Sequence, residues 1–572
     1  MTVSNAEIAA VFEEIADILE LEGANAFRIR AYRNGARVVQ AFAPDIAGLL
    51  ASGQALPKLP GIGEDLEAKI AEIARSGRSA QLQRLRGEVP AGLRELMKIS
   101  GLGPKRVARL WHELGIETLA ELRQAARSGR IRALHGFGEQ TEERLLQAVD
   151  QVLHTSQRHL LGDVAPVAEH LLARLREVPG VLEATIAGSF RRGRDTVGDL
   201  DILVSARSGC QAIPRFTDDA EVANVLGAGT TRASVLLRSG LQVDLRLLPP
   251  ASWGAGLLYL TGSKAHSIEL RRMAREKGLK ISEYGVYRGR QRIAGATEES
   301  VYRSLGLAWI PPELREAHGE IAAARTGKLP KLVELDDLRG DLHAHTRASE
   351  GHNSLEEIAT AARAAGLEYL AITDRSGHSG DAHGLDADAL ARQIDQIDAL
   401  NARLDGITLL KGIEVEILED GSLDLPDTLL ARLDLVVGAM HSAFTLSKKQ
   451  QTRRLLRAID HPHFSLLAHP GARLIGKRPA IEYDFAVLLE GARQRGCALE
   501  VNARPERLDL DDLHCRTARD AGVALAICSD ARSIDDFACL RFGVGQARRG
   551  WAEAGDVLNT RPLAKLRSLL KR

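Results

Sequence analysis

Three aspartates carried by two predicted strands in the middle of the chain constrain the fold more than any other feature. Residues 197–204 alternate in polarity and end in β-forming residues, which predicts a strand bearing Asp199 and Asp201. Side chains two residues apart on a strand point to the same face, so these two carboxylates stand side by side. A second predicted strand, residues 241–248, brings Asp244 alongside. Because like charges at close range need a cation, the three carboxylates are candidate ligands for Mg²⁺ or Mn²⁺.

A glycine-rich turn, Gly-Ser-Phe-Arg-Arg-Gly at residues 188–193, precedes the first of these strands. Gly188 and Ser189 end an apolar run at a predicted helix start, where backbone N–H groups attract phosphate, and Arg192 adds a forked donor. Two divalent cations about 3.5–4 Å apart can clamp the attacking and leaving oxygens of a phosphoryl transfer. The turn and the three carboxylates together indicate a nucleotidyltransferase. The alternative is a surface turn followed by an ordinary acidic edge strand.

The charge distribution divides the chain into two halves, although the net charge is zero. Residues 1–330 contain 44 Lys and Arg against 39 Asp and Glu, whereas the remainder contains 32 against 37. A mildly basic front half suits nucleic acid, and an acidic back half with clustered histidines suits metal ions. A chain of 572 residues is expected to hold roughly three to five domains.

Cysteine use and hydropathy favour a cytoplasmic protein without a membrane span. The five cysteines form no Cys-x-x-Cys pair, which is typical of a reduced cytosol and not of a disulfide framework. The N-terminus is acidic and lacks the apolar region of a signal peptide. No stretch approaches the ~18 uninterrupted apolar residues that a transmembrane helix needs.

Three short glycine hairpins recur in the front part of the chain, each between two predicted helices. Glycines permit a tight turn with exposed N–H groups, and the start of the following helix attracts a phosphate. Such helix-hairpin-helix elements hold the DNA backbone without reading its sequence. The alternative is that these turns are plain helix connections. The repetition of the glycine hairpin three times favours DNA binding. The candidate DNA-binding residues are Gly61, Gly63, Gly101, Gly103, Lys105, Gly136 and Gly138.

Lys69 lies one turn into the helix that follows the first hairpin, on a largely apolar stretch. A partly desolvated lysine amine can act as a Schiff-base nucleophile. A lysine that extends its amine to solvent along an apolar surface is the alternative.

The last 235 residues alternate predicted strands and helices, which favours a parallel, barrel-like sheet. A polar residue of a metal-binding type follows nearly every strand, and barrel enzymes place their chemistry at that end of the strands. Buried core histidines are the alternative. The set opens with His343 and His345 and continues with Asp374, Glu414, His441, His469, Asn502 and Asp530.

These motifs resemble the family X DNA polymerases, specifically the bacterial type that carries a C-terminal PHP (polymerase and histidinol phosphatase) domain, along essentially the whole chain. The resemblance implies a multidomain α/β architecture. Its expected parts are a lyase-like helical domain with the first hairpin (1–80), a fingers-like helical domain with hairpins (81–152), a nucleotidyltransferase palm with a mixed β-sheet (153–250), a small α+β thumb (251–320), a linker (321–337) and a PHP domain with a distorted (β/α)7-type barrel (338–572).

The resemblance also assigns roles to residues of the polymerase half. Asp199, Asp201 and Asp244 match the family's catalytic carboxylates, Arg271 the residue in the DNA minor groove, and Lys69 the Schiff-base lysine. The implied nucleotide-binding residues are Gly188, Ser189, Arg192, Gly198, Tyr259, Gly262 and Ser267. The chain departs from the family pattern where Leu260 replaces Phe, Ser267 replaces Asn, and Asp65 and Phe27 replace basic or histidine positions of the lyase pocket.

In the PHP half, the resemblance implies two Zn²⁺ or Mn²⁺ ions. One ion would be held by His343, His345, Glu414 and Asp530, and a second by Glu414, His441 and His469. Such a pair of ions can activate water for phosphodiester hydrolysis, as in a 3′–5′ exonuclease.

Two histidines of the family's third metal site are replaced here by Arg375 and Arg532, which leaves only Glu350 at that site. Arginine cannot ligate a cation, but its guanidinium group can occupy the space of one and bind phosphate. The hypothesis is a two-metal centre in which the two arginines stand in for the third ion. A PHP domain without catalytic activity is the alternative.

The resemblance implies a template-directed, gap-filling DNA polymerase of repair that uses dNTPs and gapped or primer-template DNA, acts as a monomer and carries a metal-dependent 3′–5′ exonuclease. Two other classes remain open. One is a repair nuclease with a vestigial polymerase core, and the other is a non-catalytic DNA-binding scaffold.

Overall fold

The computed structural model describes residues 5–42, 46–51, 56, 61–97, 99, 102–134, 136–156, 158–377 and 384–570. The chain forms two compact units, Met1–Gln157 and Arg158–Arg572. None of the described helices is both long and apolar enough to cross a membrane.

The regular elements among the described residues of the first unit are all helices. Each helix buries an apolar face, as Ile8, Phe12, Ile15 and Leu19 do at helical spacing in the first helix. The helices are α1 (Asn5–Leu21), α2 (Ala26–Ala41), α3 (Ile46–Ala51), α4 (Glu64–Ser76), α5 (Ala80–Glu88), α6 (Ala91–Leu96), α7 (Pro104–Leu114), α8 (Leu119–Arg127) and α9 (Glu139–Ser156).

Glycines lie at the start of three of these helices. Gly63 and Gly103 occupy the N-cap positions of α4 and α7 with extended backbone angles, and Gly138 directly precedes α9. Gly61 and Gly136 have positive φ angles of 74° and 84°, which glycine adopts without steric cost. The first and third hairpins therefore depend on glycine for their backbone geometry.

The second unit begins with a five-stranded mixed sheet, as expected for the palm. Its strand order is β2-β4-β7-β6-β5, in which β4 and β7 run parallel and the other pairs run antiparallel. The elements are β1 (His159–Leu160), α10 (Leu161–Arg176), β2 (Val181–Ile186), α11 (Gly188–Arg191), β3 (Thr196–Val197), β4 (Asp199–Ala206), α12 (Ala212–Thr217), β5 (Val222–Ala228), β6 (Arg232–Leu237) and β7 (Gln242–Leu248).

The thumb follows as a small α+β layer. A three-stranded antiparallel sheet in the order β10-β9-β8 packs with four helices around a core that also includes Leu332 and Trp551. The elements are α13 (Trp253–Thr261), α14 (Lys264–Glu276), β8 (Lys280–Ser282), β9 (Gly285–Arg288), β10 (Gln291–Ala294), α15 (Glu298–Ser304) and α16 (Glu320–Thr326), with 3₁₀ turns at Pro250–Ser252 and Pro312–Leu314.

A buried ionic cluster joins the thumb to the glycine turn of the palm. Arg315 donates to the Glu298 carboxylate at 2.6 and 3.0 Å, and Arg191 donates to the same carboxylate at 2.8 and 3.0 Å. Burial alone would raise the pKa of Glu298, but Arg315 and Arg191 outweigh it and lower that pKa to about 2. Glu298 therefore stabilises the fold above the ordinary carboxyl pKa of 4.5, and this contribution is lost as the pH falls towards 2.

Replacing Glu298 by glutamine leaves the fully buried Arg315 side chain without its counter-charge. We expect the free energy of unfolding of the second unit to fall by about 3–5 kcal/mol, the usual effect of breaking a buried ion pair. Glu299→Gln makes the same chemical change at the next, exposed residue and is the matched control. Thermal unfolding of the two full-length variants measures the difference, and equal midpoints would contradict a structural role for the cluster.

The C-terminal region forms a seven-stranded, all-parallel sheet in sequential order from β11 to β17. The end of β11 approaches the end of β17, where His345 N donates to the Ala531 carbonyl at 2.8 Å, so the sheet is a nearly closed barrel. The strands are β11 (Gly340–Ala344), β12 (Tyr369–Ile372), β13 (Thr408–Glu416), β14 (Leu435–Ala439), β15 (Phe464–Leu467), β16 (Ala498–Asn502) and β17 (Leu525–Cys528).

Helices connect the barrel strands and cover the sheet. They are α17 (Leu355–Ala364), α18 (Ala387–Asn401), α19 (Asp427–Leu430), α20 (Lys448–Ile459), α21 (Phe485–Arg495), α22 (Asp512–Asp520), α23 (Leu540–Arg549) and α24 (Leu563–Leu570). Short 3₁₀ turns lie at Leu335–Asp337, Ile534–Cys539, Ala554–Asp556 and Leu558–Thr560.

The segment predicted as a linker, residues 321–337, is not a free tether. Most of α16 lies within it, and Val333 N donates to the Ala552 carbonyl of the barrel domain at 2.9 Å. Leu332 and Val333 are buried. A linker was expected here from the resemblance, but the apolar residues of the segment pack, and the palm, thumb and barrel form one compact unit.

Candidate active sites

The two central strands of the palm place Asp201 and Asp244 next to each other. They are register partners on the parallel strands β4 and β7, so both side chains leave the same face of the sheet. Asp199, two residues before Asp201, shares that face. Gln242 Nε2 donates to Asp244 Oδ2 at 3.0 Å, and Ser234 Oγ on β6 donates to Asp244 Oδ1. The structure thus brings the three predicted carboxylates to one face of the palm sheet.

Burial and mutual repulsion favour the protonated forms of two of these carboxyls. Burial, together with the charges of Asp199 and Asp244, raises the pKa of Asp201 to about 7. Burial and Asp244 also raise the pKa of Asp199. A divalent cation relieves such repulsion, and a donor set made only of carboxylate oxygens fits Mg²⁺ or Mn²⁺.

The glycine turn lies directly against Asp201. Gly188 has a φ angle of +61°, and a Cβ at this position would collide with Asp201 Oδ2, so only glycine lets the turn approach the carboxylate. Arg192, predicted to contact a triphosphate, donates from Nε to Glu316 at 2.9 Å and from Nη1 to the Thr261 carbonyl at 2.7 Å. Its guanidinium is therefore held against the thumb.

The predicted nucleotide-binding residues of the thumb lie at the end of α13 and on α14. Tyr259 is 38% exposed, and the Arg271 guanidinium lies 5.3 Å from the centre of its ring. Gly262 ends α13, and a Cβ there would lie 3.2 Å from Ser267 Oγ. The structure therefore pairs Tyr259 with Arg271 and Gly262 with Ser267. Of the remaining palm residues, Ser189 follows Gly188 in α11, and Gly198 lies between β3 and β4.

The three glycine hairpins differ in the charge of the helix that follows. A Cβ at Gly63, Gly103 or Gly138 would meet nothing within 4 Å, so each helix start is open. The first turn of α7 carries the exposed Lys105, whereas the first turns of α4 and α9 carry acidic residues. Gly101 lies outside the described residues. Charge therefore favours phosphate contact at the second hairpin.

Lys69 lies on α4 with its side chain 17% exposed. Its ammonium pairs with Asp65 one turn earlier and lies 5.9 Å from the centre of the Tyr32 ring. Phe27, which replaces a polar position of the family's lyase pocket, is 76% exposed on α2.

Two groups of metal-binding side chains meet at the carboxyl ends of the barrel strands. Among the described residues, only these two groups bring three candidate ligand atoms within 4.8 Å of one another, so the three palm carboxylates do not all lie within that distance. One group is His343, His345 and Asp530, and the other is Glu414, His441 and His469. These are the residues that the resemblance assigns to two ions.

Glu414 lies between the two groups. Its Oε1 is 3.6 Å from His343 Nε2, 3.4 Å from His441 Nε2 and 3.3 Å from His469 Nε2. Burial opposes ionisation, but His441 and His343 lower the pKa of Glu414 well below its usual range. A carboxylate placed among three imidazoles suits a ligand shared by two ions.

Two acidic residues that sequence analysis missed orient these imidazoles. Glu500 lies 2.7 Å from His343 Nδ1, and Glu416 lies 2.9 Å from His441 Nδ1, so each ring presents Nε2 to Glu414. Glu500 lies within the buried strand β16 and Glu416 is the last residue of β13, and an acidic residue in a buried strand is the signal that could have identified them.

Asp374 and Asn502, predicted as ligand-type residues, lie outside both groups and have supporting contacts. Asp374 accepts from Thr346 N at 2.7 Å and from Gln393 Nε2 at 2.6 Å. Asn502 Nδ2 donates to Asp530 Oδ2 at 3.0 Å. Both side chains therefore brace the site instead of joining a ligand group.

Glu350 also lies outside both groups, and its carboxylate is held by the two arginines that replace histidines. Arg532 Nη2 contacts Glu350 Oε2 at 2.7 Å, and Arg375 Nη1 contacts Glu350 Oε1. Arg375 Nε also lies 3.6 Å from Glu414 Oε2. The guanidinium groups thus neutralise the acidic residue that a third cation would neutralise in the family pattern.

The chemistry of the barrel site fits divalent transition metals. His343 Nε2 is buried without a hydrogen-bond partner, although it faces Glu414. Imidazole nitrogens and carboxylate oxygens are donors that suit Zn²⁺ and Mn²⁺. Nearby, Arg507 Nη1 is also buried and unpartnered, and Arg507 Nε lies 3.8 Å from Asp530. The site therefore offers nitrogen and oxygen ligands together with a donor for an anionic oxygen.

Comparison with known proteins follows the same order along the chain. Family models match residues 3–79 (helix-hairpin-helix domain), 93–150 (SAM-like helix-hairpin-helix tandem), 162–257 (DNA polymerase beta palm), 256–316 (DNA polymerase beta thumb) and 341–503 (PHP domain). The DNA polymerase/3′-5′ exonuclease PolX of Bacillus subtilis is 36% identical over 570 residues, 99% of each chain. The chain belongs to the PolX family. This confirms the resemblance found in the sequence.

Other relatives cover parts of this PolX-family chain. A probable phosphatase of Thermoanaerobacter sp. is 28% identical over 245 residues, which are 40% of the chain and 94% of the relative. DNA polymerase lambda of Rattus norvegicus is 25% identical over 342 residues, 54% and 56% of the two chains. PolX polymerase and PHP domains generally use divalent metal ions, and the ligand groups described above agree with that property.

Proposed function

We propose that this protein is a gap-filling DNA polymerase of repair that transfers nucleotides from dNTPs to a primer 3′-hydroxyl, with a 3′–5′ exonuclease in its PHP barrel. The observation that carries the polymerase assignment is the register pairing of Asp201 with Asp244 beside the Gly188 turn. Family membership supports both activities.

In the palm, Asp199, Asp201 and Asp244 would hold Mg²⁺ or Mn²⁺. Two such ions, when bound, stabilise the attacking and leaving oxygens of an in-line phosphoryl transfer. The Gly188–Ser189 turn and Gly198 would receive the triphosphate, and Arg192 would exchange its Glu316 contact for a phosphate oxygen.

Residues of the thumb would position the nucleotide and the DNA. Tyr259, Gly262 and Ser267 lie together at the end of α13 and the start of α14, where they would contact the incoming nucleotide. Arg271, stacked on Tyr259, would reach into the minor groove. The cation over the aromatic face would hold both side chains in one arrangement.

The helical first unit would hold the DNA backbone. Gly103 and Lys105 of the second hairpin are the best supported contacts, because the acidic first turns of α4 and α9 repel phosphate. Gly61, Gly63, Gly136 and Gly138 would contribute backbone N–H groups. A lyase role for Lys69, a monomeric state and a cytoplasmic location remain predictions from the sequence.

In the barrel, the two ligand groups would hold two Zn²⁺ or Mn²⁺ ions with Glu414 shared. When bound, the ions polarise the scissile phosphodiester and activate a water for hydrolysis. Glu500 and Glu416 keep the imidazoles oriented, and Arg507 offers a buried donor to a phosphate oxygen. Arg375 and Arg532 take the place of a third ion at Glu350.

Primer extension on a gapped duplex tests both activities in one reaction. With Mg²⁺ or Mn²⁺, we expect a labelled primer to lengthen to the end of the gap when dNTPs are present and to shorten when they are absent; EDTA should stop both. Shortening without lengthening in either metal would contradict the polymerase assignment and support a nuclease with a vestigial core. Lengthening without shortening would support a barrel without catalytic activity.

A further inference from the structure

Arg549, the last residue of α23 in the barrel domain, reaches the glycine turn of the palm. Its side chain is 2% exposed, although it lies between two domains. Arg549 Nη1 donates to the main-chain carbonyl of Arg192 at 3.0 Å and to Glu316 Oε1 at 3.1 Å. Its Nη2 donates to Asp512 of α22, which anchors the guanidinium in the barrel domain. One side chain therefore links the PHP fold to the turn that approaches Asp201.

Glu316 of the thumb completes this link. The same carboxylate oxygen accepts from Arg549 and, at 2.9 Å, from Arg192 Nε. Burial opposes ionisation of Glu316, but Arg192 and Arg549 lower its pKa. Arg192 and Arg549 share this oxygen, and Arg194 Nη1 lies 3.9 Å from it, so the negative charge of Glu316 does not serve Arg192 alone.

Arg549 also packs against the backbone of the glycine turn. Gly193, which ends the turn, has a φ angle of +64°, and a Cβ there would lie 3.8 Å from Arg549 Cδ and 4.0 Å from Gly545 of α23. Arg549 therefore holds the carbonyl of Arg192 and packs against the next residue. Another ion pair between α23 and the palm, Arg541 with Glu169, is exposed and does not touch the turn.

We propose that Arg549 is a positioning residue for nucleotide binding: the PHP domain holds the palm turn through Arg549 and Glu316 and keeps Arg192 available to the triphosphate. The inference rests on the proposed polymerase function. Without Arg549, Glu316 pairs more strongly with Arg192, and the turn loses a charge-assisted hydrogen bond to its backbone. Both changes weaken triphosphate binding, whereas neither barrel ligand group is touched.

The experiment compares full-length Arg549→Ala with Arg541→Ala, which removes an arginine from the same helix and a contact to the same domain. We expect Arg549→Ala to raise the KM for dNTP about tenfold, as the loss of one charge-assisted hydrogen bond does. We expect kcat to change less and DNA shortening to stay as in wild type. Arg541→Ala should leave all three unchanged. An equal rise in KM in both variants, or a KM within about twofold of wild type in Arg549→Ala, would overturn the proposal.

Two further measurements separate positioning from a general loss of structure. In an Arg192→Ala background, Arg549→Ala should raise the KM less than it does in wild type, because only its hold on the main-chain carbonyl of residue 192 is left to lose; a full additive effect would contradict the part of the proposal that runs through the Arg192 side chain. Arg549→Lys keeps the positive charge but not the forked donors of the guanidinium group. Compared with Arg549→Ala, it should restore part of the affinity for dNTP. If Arg549→Ala does not fold, Arg549→Lys is the test variant. A KM for dNTP in Arg549→Lys equal to that of wild type would then overturn the proposal.

Amide hydrogen exchange across residues 188–194 tests the inference without catalysis. We expect faster exchange in Arg549→Ala than in wild type and no change in Arg541→Ala. Unchanged exchange in Arg549→Ala would overturn the positioning role. If the wild-type protein extends no primer, the proposed function is contradicted. If Arg549→Ala still exchanges faster than wild type across residues 188–194 in that case, the contact between barrel and turn is established independently of the function.

Discussion

Replacement of Asp201 by asparagine is expected to reduce primer extension on gapped DNA at least about a hundredfold, because it removes a charge that stabilises the transferring phosphate through bound cations. The side chain lies beside its register partner Asp244 and against the Gly188 turn, where it is placed to hold a cation next to the triphosphate. Shortening of the same primer should continue, since the barrel ligands are separate residues. A labelled gapped duplex, with and without dNTPs, measures both activities.

The free energy of unfolding of Asp201→Asn shows whether a loss of activity comes from a loss of fold. Since Asp199 and Asp244 repel the buried Asp201 carboxylate, its neutral isostere should leave the free energy of unfolding unchanged or higher. Asp218→Asn, at an exposed position of the same domain, is the matched control for activity. Extension by Asp201→Asn within about twofold of that control would contradict the palm assignment. Loss of gapped-DNA binding together with activity would instead indicate that the variant had lost its fold.

The parts of the fold that sequence could predict are those set by local periodicity. Alternation around Asp199 and Asp201 predicted the strand that carries them, and short apolar runs before Glu414, His441 and His469 predicted the parallel barrel. Periodicity does not report which distant segments pack together. The apolar Leu332 and Val333 lie in a predicted linker, yet both are buried: Leu332 packs in the thumb core and Val333 in the barrel core.

The same limit applies to the sites. The ligand groups were predictable because each ligand lies at or near the carboxyl end of a strand, but the partners that orient them come from far along the chain. Glu500 is 157 residues from His343, and Glu316 is 124 residues from Arg192. The sequence shows that Arg375 and Arg532 replace two histidines. It does not show that both arginines contact the same carboxylate, Glu350, which is a feature of the folded structure.

Replacement of Glu414 by glutamine is expected to abolish DNA shortening while leaving primer extension unchanged. Glu414 Oε1 lies within 3.6 Å of His343, His441 and His469, so one carboxylate serves both ligand groups. A neutral amide is a poor ligand for Zn²⁺ or Mn²⁺. Loss of the Glu414 carboxylate should therefore weaken metal binding by both ligand groups at once. Metal analysis of full-length protein after gel filtration should find about two tightly bound ions per wild-type chain and at most about one in Glu414→Gln.

Glu419→Gln, on an exposed position just beyond β13, is the matched control and should keep both the metal content and the exonuclease. The wild-type count also tests the two arginines. Since Arg375 and Arg532 already neutralise Glu350, a third cation would face two positive charges at a site with one acidic ligand. Three tightly bound ions per chain would therefore contradict the replacement of an ion by arginine, and shortening by Glu414→Gln at the rate of the Glu419→Gln control would contradict the shared-ligand role of Glu414.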